Sequence, residues 1–147
     1  MPELTGPLTP QGAVLDILIG LSAADVRRLR LALQPIPQPL SLQALIDTGA
    51  SHTSVDAKAF QPLGLQPSNF IVVSTASASA LPRAQFEVSL RIVHPSGNSQ
   101  LDLLLESVTV TDADLLPNQL PALIGCDLLA LWVFKYDGPA REFTLDY

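Results

Sequence analysis

Hydrophobic and polar residues alternate with a period of two along much of the chain, which is typical of β-strands. The clearest case is the segment 85–93, where apolar side chains at 86, 88, 90 and 92 alternate with polar ones at 85, 87, 89 and 91. Apolar or β-branched runs predict further strands at 13–19, 40–46, 70–75, 101–110 and 122–124. The segments 132–136 and 142–147 flank Asp137-Gly138-Pro139, which predicts a terminal hairpin. The pattern therefore predicts many short strands and a β-rich second half.

Helical patterns are short. Ser22 resembles a helix N-cap, and the residues after it form an amphipathic stretch up to Gln34, where a proline-rich segment begins. The segment 54–60 is predicted as a short strand that runs into a helical turn, and 126–131 as one short helix. Residues 1–12 are rich in Pro, Gly and Thr and are expected to form a loose arm. Residues 13–147 then form one domain, with 21–40 as a short helical insert between the first two strands.

Composition narrows the class of protein. The chain has 147 residues, 48% of them apolar and 15% charged, which excludes wholesale disorder. A net charge of −6 argues against nucleic-acid partners and anionic membrane surfaces. One cysteine excludes an intramolecular disulfide and a multi-cysteine zinc site, and two histidines leave little for a metal cage, so no metal or cofactor is expected. The N-terminus lacks a secretion signal and no apolar stretch is long enough to span a bilayer, so we expect a cytoplasmic protein.

One short motif contains a candidate catalytic carboxylate. Asp47, Thr48 and Gly49 form a tight turn directly after an apolar strand. A carboxylate held close to a second carboxylate shares one proton with it, and such a pair can activate a water molecule and protonate a leaving group. Taken alone, however, Asp-Thr-Gly is more often a plain β-turn.

A second motif changes that interpretation. Ala44 to Val55 contains Leu-Ile-Asp-Thr-Gly-Ala-Ser-His-Thr-Ser, and Ala122 to Leu129 reads Ala-Leu-Ile-Gly-Cys-Asp-Leu-Leu. In order and spacing these two segments resemble the motifs of the retropepsin-type aspartic proteases. The resemblance implies an all-β, closed-barrel domain with one short helix after the second motif.

The resemblance also implies roles for individual residues. Asp47 would be the catalytic residue, and the segment 70–90 would be a flap that closes over the substrate. The remaining implied residues are Thr48, Gly49 and Ala50, which would support the catalytic turn, and Ser51, His52, Ser74, Thr75, Ala76, Ser77, Ala78 and Ile124, which would line the cleft or form the flap.

A further implication is a homodimer. The sequence contains one Asp-Thr-Gly, so a site with two carboxylates needs two chains related by a two-fold axis. Such a dimer would be an aspartic endopeptidase that hydrolyses peptide or protein substrates without a metal or cofactor.

Departures from the retroviral pattern leave an alternative open. Retroviral enzymes have an acidic residue and an arginine at the positions of Ser51 and Cys126, and both charges are absent here together. The predicted flap tip has alanine and serine in place of glycine, and the insert 21–40 has no counterpart in the minimal enzymes. A non-proteolytic module that binds a peptide partner through this fold is therefore the alternative function.

Other candidate side chains have plainer interpretations. Cys126 is predicted to be a small buried thiol, and His52 either lines the cleft or lies on an exposed loop. His94 is expected at the surface. Arg27, Arg28 and Arg30 are expected to form a solvated helix face.

Overall fold

The structure, a computed structural model, describes residues 2–74, 80–115 and 119–147. The strands are β1 (Glu3–Thr9), β2 (Gly12–Leu21), β3 (Leu40–Ile46), β4 (Ser54–Asp56), β5 (Asn69–Val73), β6 (Leu81–Ile92), β7 (Leu103–Ala113), β8 (Ala122–Ile124), β9 (Val133–Asp137) and β10 (Glu142–Asp146). The helices are α1 (Ala23–Leu31), α2 (Ala57–Phe60) and α3 (Cys126–Leu129), with 3₁₀ turns at Gln61–Leu63 and Ser99–Leu101. None of these helices is long and apolar enough to cross a membrane.

Six strands close into a barrel in the order β6-β7-β4-β8-β3-β2, and β2 pairs again with β6 to complete the circuit. Two pairs, β3 with β8 and β4 with β7, are parallel, and the others are antiparallel. This architecture confirms the prediction of an all-β closed barrel with few short helices.

The barrel interior is filled by the apolar side chains of alternate strand positions. Along β2, residues Ala13, Leu15, Ile17 and Ile19 are all buried, as the period of two requires. Each Leu or Ile buried in this way contributes about 1.5–3 kcal/mol relative to its exposed state. The burial of one complete face therefore fixes the register of β2, since a slip by one residue would expose all four side chains.

The N-terminal residues differ from the sequence-based expectation. Residues 3–9 form β1, which pairs antiparallel with β10 and then with β2, so the prediction of a loose arm is wrong for this segment. Leu4 is buried in the core. Gly6 lies under the ring of Phe143, where a Cβ atom would approach the ring carbons to 2.8 Å. Strand pairing and this close contact hold the segment in place despite its Pro and Gly content.

The other predicted elements near the site are present. β3 has the predicted bounds, and β5 pairs antiparallel with β6 from Asn69 opposite Gln85 to Val73 opposite Leu81. The predicted insert contains α1, which is capped at its N-terminus by the Ser22 hydroxyl accepting from the Asp25 N–H at 3.2 Å. The terminal hairpin is formed by β9 and β10.

Candidate active site

The Asp-Thr-Gly turn begins where β3 ends. The Asp47 N–H donates to the Ile124 carbonyl at 2.9 Å, which ties the start of the turn to β8. The Gly49 N–H donates to Asp47 Oδ1 at 2.9 Å, and the Ala50 N–H donates to the Asp47 carbonyl at 3.1 Å. A Cβ atom at Gly49 would lie 3.2 Å from the same carboxylate oxygen, so glycine allows the backbone to approach closely. The turn therefore fixes the carboxylate at a defined position.

Parallel pairing brings the two sequence motifs together. Ala44 lies opposite Ala122 and Ile46 opposite Ile124, so both strands end at the same edge of the sheet. Beyond that edge the Cys126 N–H donates to the Ala50 carbonyl at 2.8 Å. The two loops that follow the strands are thus bonded to each other directly through their backbones.

Gly125 makes this close approach possible. A Cβ atom at Gly125 would lie 2.6 Å from both the carbonyl carbon and the oxygen of His52, and 2.9 Å from the Ala50 oxygen. These are backbone atoms, which cannot move aside as a flexible side chain would. The second motif therefore requires glycine at this position.

A hydrogen-bond network around Thr53 and Asp127 joins the loops a second time. The Asp127 carboxylate accepts from the Thr53 hydroxyl at 2.7 Å and from the Thr53 N–H at 2.9 and 3.0 Å. It also accepts from the Leu128 N–H at 2.8 Å, at the start of α3. The Thr53 hydroxyl in turn accepts from the Gly125 N–H at 3.1 Å. Thr53 is fully buried, so its hydroxyl has its partners within the protein.

The Asp47 carboxylate is accessible from one side. Asp47 is partly exposed, and within the described parts of the chain its Oδ2 atom has no hydrogen-bond partner. It borders a cavity of about 220 Å³ lined by Gln11, Leu45, Asp47, Gln119, Leu120 and Leu123. The described residues contain no group of three or more His, Cys, Asp or Glu side chains that could hold a metal ion. The arrangement presents one oriented carboxylate beside a mainly apolar cavity.

Comparisons with known proteins bear on the fold. The sequence matches no protein-family model and no curated protein. Among solved structures, a retropepsin-like aspartic protease from Rickettsia conorii is similar, with a TM-score of 0.55 over 99% of this chain and 90% of that chain. This chain has a retropepsin-like fold. The sequence identity is 15%, so the similarity concerns the retropepsin-like architecture and not the activity.

Within the retropepsin-like fold, most predicted site residues lie on the turn or next to it. Thr48, Gly49, Ser51 and His52 are exposed, and Ala50 is partly exposed. Ser74, directly after β5, is also exposed. The other predicted flap-tip residues, Thr75, Ala76, Ser77 and Ala78, lie outside the described residues.

Two expectations are corrected. Ile124 is fully buried, so its side chain belongs to the core and does not line a cleft; its contribution to the site is the carbonyl that accepts from Asp47. Cys126 is exposed and not buried, because it opens α3 at the edge of the barrel. Its Sγ donates to the Thr48 carbonyl at 3.1 Å.

Sequence reasoning did not assign roles to Thr53 and Asp127. They are 74 residues apart, and the pairing of β8 with both β3 and β4 brings them together. A signal was present, since both lie inside the two motifs. The cavity residues Leu45 and Leu123 were also missed, although they are register partners on these same two strands.

Proposed function

We propose that this chain is an aspartic endopeptidase that acts as a homodimer, with Asp47 of each subunit forming the catalytic pair. The observation that carries the proposal is the Asp47 carboxylate, which is partly exposed beside a cavity and held by the Gly49 N–H on a turn bonded to the second motif. The retropepsin-like fold supports it, because the similar solved protein is described as an aspartic protease.

The proposed chemistry needs two such carboxylates that share one proton. The ionised member takes a proton from a water molecule, whose oxygen attacks the carbonyl carbon of the scissile peptide bond. The protonated member donates its proton toward the carbonyl oxygen in this step. The tetrahedral intermediate then collapses: the C–N bond breaks and the amide nitrogen leaves with a proton from the pair. One hydroxyl of the intermediate returns its proton to the other carboxylate as the C=O bond re-forms, which restores the shared proton.

The proposed dimer follows from the single Asp-Thr-Gly in the sequence. Exposed apolar side chains at the terminal hairpin give it a candidate surface: Leu131, Val133 and Tyr136 are each more than 60% exposed. β9 pairs only with β10 within the described residues, so its other edge is open. An open edge with exposed apolar residues suits pairing with a second copy.

Cleavage of a peptide library by wild-type protein and by Asp47→Asn between pH 3 and 7 tests the proposal. The substitution keeps the side-chain shape and removes the ionisable group. We expect wild-type cleavage that a pepstatin-type inhibitor blocks and no cleavage by the variant. Cleavage that persists in Asp47→Asn would refute the catalytic role of Asp47. Inactivity of a wild-type protein shown to be dimeric would favour the non-proteolytic binding module instead.

A further inference from the structure

The C-terminal end of α1 has an unusual cap. The Gln34 N–H donates to the Leu29 carbonyl at 2.9 Å and the Leu33 N–H donates to the Arg30 carbonyl at 3.1 Å, which is the hydrogen-bond pattern of a Schellman motif. This motif places its capping residue in the left-handed region, and Leu33 has φ of 53°. Glycine normally occupies such a position, because the Cβ atom of any other residue crowds a neighbouring carbonyl oxygen.

Burial of the Leu33 side chain does not compensate for this unfavourable backbone conformation. It is 93% exposed, and Leu31 two residues earlier is 81% exposed. Within α1 no residue is buried, although Val26 and Leu29 pack partly against the core. A leucine that violates the local backbone preference without burial is unexplained by folding, and such positions are candidates for function.

Charge distinguishes this end of the helix from the rest of the molecule. Arg27, Arg28 and Arg30 are all exposed and supply three of the eight Lys and Arg residues of a chain with net charge −6. Asp25 forms an ion pair with Arg28 at 3.5 Å, whereas Arg27 and Arg30 form no ion pair with any of the described residues. Arginines near a helix C-terminus also stabilise the helix dipole, but this effect does not account for exposed leucines.

A cavity adjoins Arg28, one of these arginines. This cavity of about 270 Å³ lies between the insert and residues 63–66, and Leu29, Pro35, Pro37 and Leu65 are among its lining residues. Asp25 and Arg28 are polar groups on its wall. A cavity of this volume can accommodate one side chain of a segment bound beside Arg28.

We propose that the exposed end of α1, defined by Arg27, Arg28, Arg30, Leu31 and Leu33, is a docking surface for an acidic, leucine-bearing segment of a partner protein. The arginines would pair with carboxylates of that segment, and the two leucines would pack against its apolar side chains. A two-fold contact with a second copy would bring six arginines together, which disfavours self-association.

The test measures binding of fluorescein-labelled peptides, each with several leucines and several Asp or Glu residues, against the same peptides with Lys in place of the acids. We expect acidic peptides to bind the wild-type protein with an affinity that falls as salt is added. We expect their affinity for Leu33→Gly to be lower, roughly fivefold or more. The melting temperature of Leu33→Gly should be equal to or above that of wild type, because glycine suits the cap. A loss of binding without a loss of stability separates docking from a structural role.

A matched control is Arg141→Gly. Arg141 has φ of 57° and lies in the β9–β10 hairpin, so this substitution relieves a similar backbone conformation and removes one arginine elsewhere. We expect it to leave peptide binding unchanged. The proposal is overturned if no acidic peptide binds better than its lysine counterpart, or if Leu33→Gly binds as wild type does. It is also overturned if Leu33→Gly instead changes the sedimentation of the protein or abolishes binding to phosphatidylserine vesicles.

Discussion

Replacing Thr53 with valine tests whether the hydrogen-bond network between the two motifs holds the Asp-Thr-Gly turn. Valine has nearly the same shape as threonine but lacks the hydroxyl. The substitution therefore removes the bond to the Asp127 carboxylate at 2.7 Å and the acceptor for the Gly125 N–H at 3.1 Å. It leaves the packing of the buried side chain almost unchanged.

The expected cost can be worked out bond by bond. Gly125 is buried, so its N–H becomes an unsatisfied donor, which costs about 1–3 kcal/mol. Asp127 is exposed and keeps its bonds from the Thr53 and Leu128 N–H groups, so losing the hydroxyl costs only about 1 kcal/mol more. The sum is about 2–4 kcal/mol. For a chain of this size that corresponds to a fall in melting temperature of roughly 10 °C.

The matched control is Thr53→Ser, which keeps the hydroxyl and deletes one buried methyl group. Its expected cost is about 1 kcal/mol, from the lost apolar burial and the small void. Urea unfolding and thermal melts of the three proteins at one matched concentration measure the difference. If hydrophobic packing controlled this site, valine would be tolerated better than serine. A Val variant as stable as the Ser variant, or more stable, would refute the network argument.

Three further predictions follow from other contacts. Gly125→Ala should destabilise the protein by about 1–3 kcal/mol or more, because its Cβ would meet the backbone of His52 at 2.6 Å; chemical unfolding measures this, and a wild-type midpoint would contradict it. Val133→Glu, on the open edge of β9, should shift the proposed dimer to monomer in sedimentation without changing the circular dichroism spectrum, and an unchanged dimer would exclude this edge. Burial, and secondarily the Asp102 carboxylate, raises the pKa of Tyr147 above its ordinary 10.0. The folded chain thus holds the phenolic proton more tightly than the unfolded chain, so the stabilisation is present below pH 10 and is lost as pH rises through the folded pKa. Tyr147→Phe should therefore lose less melting temperature than the wild-type protein as pH rises above 10. A decline equal to that of the wild-type protein would refute this prediction.

The barrel strands could be predicted from sequence because their signal is local. β3 and β6 show their burial in the alternation of their own residues, and turn residues mark their ends. β1 could not be predicted in the same way, because Gly6 and Pro7 suggest irregular structure when taken locally. Leu4 and Gly6 do alternate inward, but the segment becomes a strand only by pairing with β10, at the other end of the sequence.

The same distinction applies to the candidate site. The turn at Asp47 is a local feature, since its defining bond joins residues two positions apart. The role of Asp127 is not local, because its carboxylate reaches Thr53 through the pairing of β8 with β3 and β4, strands distant from it in the sequence. Ile124 is buried because it belongs to β8, whereas Cys126 is exposed because it opens α3 beyond the end of that strand.

The bonds that position the Asp47 turn all lie within one chain. The backbone of Ala50 is held by Cys126, the start of the turn by the Ile124 carbonyl, and the loop beyond by Asp127. Ser51 and Cys126 carry no charges, so this arrangement does not depend on an ion pair between those positions. We therefore expect a single chain to fold with the Asp47 turn already in place. Under the proposed function the second carboxylate must come from another chain, so a monomeric variant should keep a native fold and yet lack activity.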